Sequence, residues 1–73
     1  MTEYFARGPM CWARGATLEK CLANLKRQWP RAERVRPTVS NLSDPKLVTI
    51  FKGTGFEIDE MGTVSAQSAE KLQ

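Results

Sequence analysis

The 73-residue sequence contains no histidine, which removes the side chain that most often serves proteins as a general base and as a metal ligand. A Ser-His-Asp or Cys-His catalytic arrangement is therefore impossible within this chain. Its two cysteines cannot by themselves complete the ligand set of a structural zinc site. We therefore expect a protein that is not an enzyme and that holds no metal or other cofactor.

Long apolar segments are also missing. The longest, residues 47–51, is too short to cross a bilayer, and the N-terminal residues contain an acid and no apolar core of a secretory signal. We expect a protein that does not enter membranes and that resides in the cytoplasm. In that compartment Cys11 and Cys21 should stay reduced, with a disulfide between them as the alternative.

Loop motifs for phosphate binding or acid–base chemistry are incomplete. Gly53 and Gly55 form a Gly-x-Gly without the further glycine or the lysine of a phosphate-binding loop, so they predict a connector between strands. Asp59 and Glu60 are adjacent carboxylates that are expected in a solvated hairpin turn closed by Gly62.

The strongest pattern in the sequence is that of one helix. Thr17 is a plausible N-cap, and Pro30 is expected to end the helix because it lacks a backbone N–H. Between them, apolar side chains recur at i, i+3, i+4, i+7 and i+11, the spacing of one helical face. These are Leu18, Cys21, Leu22, Leu25 and Trp29. The pattern predicts an amphipathic helix over about 18–29.

Short strands are predicted on both sides of this helix. Their order, ββα(β)ββ, predicts one small α+β domain over residues 1–66, with the helix packed on one face of a four- or five-stranded, mainly antiparallel sheet. Residues 67–73 are expected to form a polar tail that is frayed or a short helix. The predicted strands cover residues 3–7, 10–14, 38–40, 47–51, 56–58 and 63–65.

One helix covers only one face of such a sheet, so the other face must be polar or must bind a partner. Alternation places Val48 and Ile50 on one face, and Leu47, Thr49 and Phe51 on the other. Apolar residues on both faces favour a protein partner, which includes a second copy of this chain in a homodimer.

Positive charge is concentrated in residues 7–36, where eight basic and two acidic residues give a net charge of +6, against −2 in residues 37–73. A basic ridge running from the helix into the connector predicts nucleic-acid binding through phosphates as the alternative function, although such charges often serve only solubility. Its candidate contact residues are Lys20, Asn24, Lys26, Arg27, Arg31, Arg34 and Arg36.

Two tryptophans are candidates for stacking or for partner contacts. Trp29 fits the apolar face of the helix and is expected in the core. Trp12 lies in a short strand, and its position fits a core residue and an exposed contact equally well.

The run from Trp12 to Leu25, with its glycine, capping threonine and amphipathic helix, resembles the strand-to-helix entry of short accessory proteins encoded by phages and other mobile elements. Residues 41–45 and the hairpin at 59–64 are also similar, so the resemblance covers about half of the chain. It implies no functional residue, but it implies an accessory protein that binds a host macromolecule, as inhibitors of host defence complexes do. The leading hypothesis is a small non-enzymatic interaction protein that binds a host or self protein partner.

Overall fold

The computed structural model describes residues 2–33 and 38–73. A four-stranded antiparallel sheet has the strand order β2-β1-β3-β6, β4 and β5 form a separate pair, and α1 packs on β1 and β2. The predicted α+β fold, with one helix on an antiparallel sheet, is confirmed. The elements are β1 (Glu3–Gly8), β2 (Cys11–Gly15), α1 (Leu18–Glu33), α2 (Val39–Leu42), β3 (Thr49–Thr54), β4 (Glu57–Ile58), β5 (Val64–Ser65) and β6 (Ser68–Lys71).

The main core lies between α1 and the sheet. Residues paired across antiparallel strands share a face, so the pairs of Ala6 with Ala13 and with Ile50 direct all three side chains toward α1. Most of the predicted apolar positions of the helix meet them, Trp29 included, whereas Leu18 remains exposed. The buried cluster comprises Ala6, Ala13, Cys21, Leu25, Trp29, Leu42, Val48 and Ile50.

The thiol of Cys21 is fully buried in this core, 3.6 Å from the carbonyl oxygen of Ala13. In the structure Cys21 is not part of a disulfide. Burial disfavours the thiolate and raises the pKa of Cys21 from 9.0 to about 11.

Cys21 should therefore resist alkylation by iodoacetamide near neutral pH until the protein is unfolded, because the reactive species is the thiolate. The unfolded thiol ionises first as pH rises from 9 toward 11, so the free energy of unfolding should fall across that window. Peptide mass mapping after alkylation, with and without denaturant, checks the resistance of Cys21 to iodoacetamide. Rapid labelling of Cys21 in native buffer would contradict that resistance.

Helix α1 is longer than predicted, because it continues through Pro30 to Glu33. The expectation that Pro30 ends the helix is wrong. The proline ring fixes φ near about −65°, a helical value, so Pro30 can lie in the helix although it removes one backbone hydrogen bond and its ring crowds the carbonyl four residues earlier.

The strand predicted at 38–40 is also wrong, since residues 39–42 form α2. The backbone N–H of Thr38 donates to Oδ1 of Asn41 at 2.8 Å, and the N–H of Asn41 donates to Oγ1 of Thr38 at 3.1 Å. This reciprocal cap favours a helical turn over an extended strand. The next strand, predicted at 47–51, runs from Thr49 through Gly53 to Thr54.

The C-terminal segment is a strand, which corrects the prediction of a frayed tail or a short helix at 67–73. β6 pairs with β3, and the N–H of Ile50 donates to the carbonyl oxygen of Gln73 at 2.8 Å. The Gln73 side-chain amide donates to the carbonyl oxygens of Leu42 and Val48, at 2.9 and 3.3 Å. Hydrogen bonds to distant residues therefore outweigh the local helical preference of this segment.

Candidate functional site

Three stacked aromatic rings lie on the sheet face opposite α1. Phe5, which is 1% exposed, lies between Trp12 and Phe56, with ring centroids 5.7 Å away on each side and interplanar angles of 17° and 23°. Phe56 is buried, whereas Trp12 remains 47% exposed at the end of the stack. Trp12 is therefore a partly exposed side chain that Phe5 holds in place.

Met10 lies beside this tryptophan, at the tip of the β1–β2 hairpin. Its φ of 54° places it in the left-handed region, and Pro9 precedes it, as in a type II turn. The side chain of Met10 is 88% exposed. The turn thus projects a flexible apolar side chain two residues before the stacked Trp12.

A groove of about 770 Å³ runs between β2 and α1. The strand contributes one wall, and the polar flank of the helix contributes the other. We call it the β2 groove. Its lining residues are Met10, Cys11, Trp12, Ala13, Arg14, Asn24, Arg27 and Gln28.

Asn24 connects the two walls of the groove by a hydrogen bond from α1 to β2. Its Nδ2 donates to the carbonyl oxygen of Arg14 at 2.8 Å, and its Oδ1 accepts a hydrogen bond from the guanidinium of Arg27. The guanidinium of Arg14 forms an ion pair with Glu3, so its charge is already matched. Arg27 is therefore the cation that the β2 groove presents without a carboxylate partner among the described residues.

The free edge of β2 is partly closed. The Arg14 carbonyl faces away from β1, because it accepts from the helix, and alternation directs the backbone groups of Trp12 the same way. Asn24 covers this edge at Arg14, while the edge beside Trp12 faces the groove.

The structure brings together three of the predicted contact residues, Trp12, Asn24 and Arg27, on the β2 groove. Lys20 is exposed on the same stripe of α1 but does not line the groove. Lys26 lies about 100° around the helix from Arg27, on its other flank.

The basic ridge is therefore not confirmed as one surface. Arg31 lies in the last turn of α1, and Arg34 and Arg36 lie outside the described residues. Sequence reasoning missed Met10, Arg14 and Gln28. The sequence signal that could have indicated Met10 is the two-residue turn of Pro9 and Met10, because this turn fixes the register of the β1–β2 hairpin and places Met10 at its tip.

Asn24→Ala should lower the free energy of unfolding by about 1 kcal/mol, because it leaves the Arg14 carbonyl without this donor in a half-buried position. Lys20→Ala, on the same helix face, should change it by less than about 0.5 kcal/mol. Urea titration of both variants gives the comparison. Equal effects would show that the hydrogen bond from Asn24 does not hold β2 against α1.

Residues 2–33 and 38–73 contain no group of three or more acidic, cysteine or histidine side chains able to hold a metal ion. Within the same residues, no helix combines the length and apolar character needed to span a bilayer. No protein-family model, curated protein or solved structure matches this chain.

Proposed function

We propose that this chain is a small non-enzymatic interaction protein that binds a protein partner through the β2 groove. The half-exposed Trp12, held in one position by Phe5, is the observation that supports this most. Tryptophan, arginine and methionine are enriched in protein interfaces, and Trp12, Arg27 and Met10 all line the groove. A ring already fixed by stacking loses little conformational freedom on binding. The resemblance to phage accessory proteins suggests that the partner is a host protein.

Nucleic-acid binding is the second candidate. An exposed tryptophan beside an arginine is compatible with stacking on a base and contact with a phosphate. Against it, Glu3 neutralises Arg14, and Lys26 lies on the far flank of α1. A protein partner therefore has the stronger support, and a homodimer is one form of it.

The two candidates separate in a capture experiment from a nuclease-treated and an untreated lysate, using the immobilised full chain. We expect a protein that is retained by the wild type after nuclease treatment and lost with Trp12→Ala. Met61→Ser is the matched control, because Met61 is 89% exposed, as Met10 is, but lies on the β4–β5 hairpin outside the groove. Sedimentation velocity of the purified chain tests the homodimer.

Retention that disappears with nuclease would favour the nucleic-acid hypothesis. Retention that Trp12→Ala and Met61→Ser leave equally intact would place the interaction away from the β2 groove and overturn the proposal.

A further inference from the structure

We propose, resting on the function above, that the occupant of the β2 groove is an extended acidic segment of the partner, with an aspartate or glutamate on Arg27 and a large apolar side chain on Trp12. Among the described residues, the lining of the groove contains two arginines and no carboxylate. Glu3 already pairs with Arg14, so the charge that awaits a partner is that of Arg27.

Arg27 is oriented toward this role before any partner binds. One of its N–H groups donates to Oδ1 of Asn24, which is itself held by the Arg14 carbonyl. A guanidinium has five N–H donors in a planar fork, so a pair of them remains for two-point recognition of a carboxylate. This hydrogen bond restricts the guanidinium of Arg27. An ion pair formed with it therefore loses less side-chain entropy than an ion pair between two mobile surface side chains, which contributes little to binding.

The open part of the β2 edge sets the path of the segment. Trp12 directs its backbone groups toward the groove, so an extended chain can pair there as an added strand. Asn24 covers the edge at Arg14, and this limits the pairing to the neighbourhood of Trp12.

Strand alternation then predicts the motif. The Trp12 ring lies on the sheet face opposite α1, whereas Arg27 projects from α1 on the other side of the edge. Successive side chains of an extended segment point to opposite faces, so one contacts Trp12 and its neighbour approaches Arg27. The acidic residue should therefore directly precede or follow the large apolar residue.

A displayed library of random linear peptides tests this inference on the full chain. We expect the enriched peptides to share an acidic residue adjacent to a large apolar one. For a synthetic peptide of that motif, Trp12→Ala and Arg27→Glu should each weaken binding about tenfold or more, and Met61→Ser should not. A peptide with lysine in place of the acid should regain affinity for Arg27→Glu.

The outcomes separate the inference from the proposed function. Enriched peptides that lack the acidic residue, or that bind Arg27→Glu as well as wild type, would overturn the inference that the occupant is acidic. If those peptides no longer bind Trp12→Ala, the groove would remain the binding site. Binding that Trp12→Ala does not change overturns both. Failure to enrich any peptide, or tighter binding of an oligothymidylate probe that depends on Trp12 and Arg27, overturns the inference.

Discussion

Leu25→Ala is expected to lower the free energy of unfolding by about 3 kcal/mol, which would leave much of this small domain unfolded at room temperature. The side chain of Leu25 is completely buried between α1 and the sheet. Its truncation removes apolar contacts and leaves a cavity that rigid neighbours such as Trp29 cannot fill. Most of the stability of a helix in a protein comes from packing of its apolar face, so the 16-residue α1 depends on this contact.

Leu18→Ala is the matched control for this prediction. It makes the same chemical change on the same face of α1, but Leu18 is 38% exposed and should cost about 1 kcal/mol or less. Urea unfolding followed by tryptophan fluorescence measures both variants, since Trp29 passes from the core to solvent. Losses of equal size would contradict the complete burial of Leu25 between α1 and the sheet.

Gly53→Ala is expected to cost about 3 kcal/mol and to detach β6 from β3. A Cβ on Gly53 would lie 1.9 Å from the carbonyl oxygen of Ser68 and 2.8 Å from the Cα of Ala69, and both atoms belong to the backbone of β6. Backbone atoms cannot turn aside as a flexible side chain does, so the two strands must separate. The hydrogen bonds from Gln73 to Leu42 and Val48 should weaken with them.

Hydrogen exchange of the amides in residues 68–73 is the direct measurement, and we expect their protection to fall in Gly53→Ala. Gly62→Ala is the control. Gly62 has a φ of +80°, and a methyl group on its Cα would meet no atom of the other described residues within 4 Å beyond its chain neighbours. Alanine there should therefore cost about 1 kcal/mol through backbone strain and leave β6 protected. Unchanged protection in Gly53→Ala would contradict the close approach of the two strands.

The helix and the core were the most predictable parts of the fold. Five apolar positions at helical spacing indicated the buried face of α1, because periodicity is a property of the sequence that packing does not alter. The end of the helix was less predictable. A proline has a φ that a helix accepts, so Pro30 disfavours the helix through its missing N–H and its ring but does not force the chain out of it.

The sequence did not predict β6 as a strand, because β6 is held by hydrogen bonds to β3, which lies far from it in the chain. Ala69, Glu70 and Lys71 favour a helix on local grounds, and only pairing with β3 makes them a strand. The prediction that Gly53 lies in a connector between strands is wrong for the same reason, because Gly53 lies within β3 and pairs with Ala69. Its small size serves the approach of β6, which follows later in the chain, and nothing in the nearby sequence indicates that contact.

The candidate site was predicted in part. Trp12, Asn24 and Arg27 were named from residue type and charge, but what brings them together is the packing of α1 across the edge of β2. Trp12 lies at the end of the aromatic stack because Phe5 stacks on it from one side and Phe56 stacks on the other side of Phe5. Counting charges also grouped Lys26 with Arg27, although the helix directs them to different flanks.

Site-specific photocrosslinking tests the β2 groove most directly, with a benzoylphenylalanine introduced at one position of the full chain in the cell. Met10→benzoylphenylalanine places the probe on the groove, and Met61→benzoylphenylalanine places an equally exposed probe on the β4–β5 hairpin. The proposed function predicts a discrete protein adduct from position 10 that Arg27→Glu diminishes, and no such adduct from position 61. Adducts of equal yield from both positions, or adducts from position 61 alone, would contradict it.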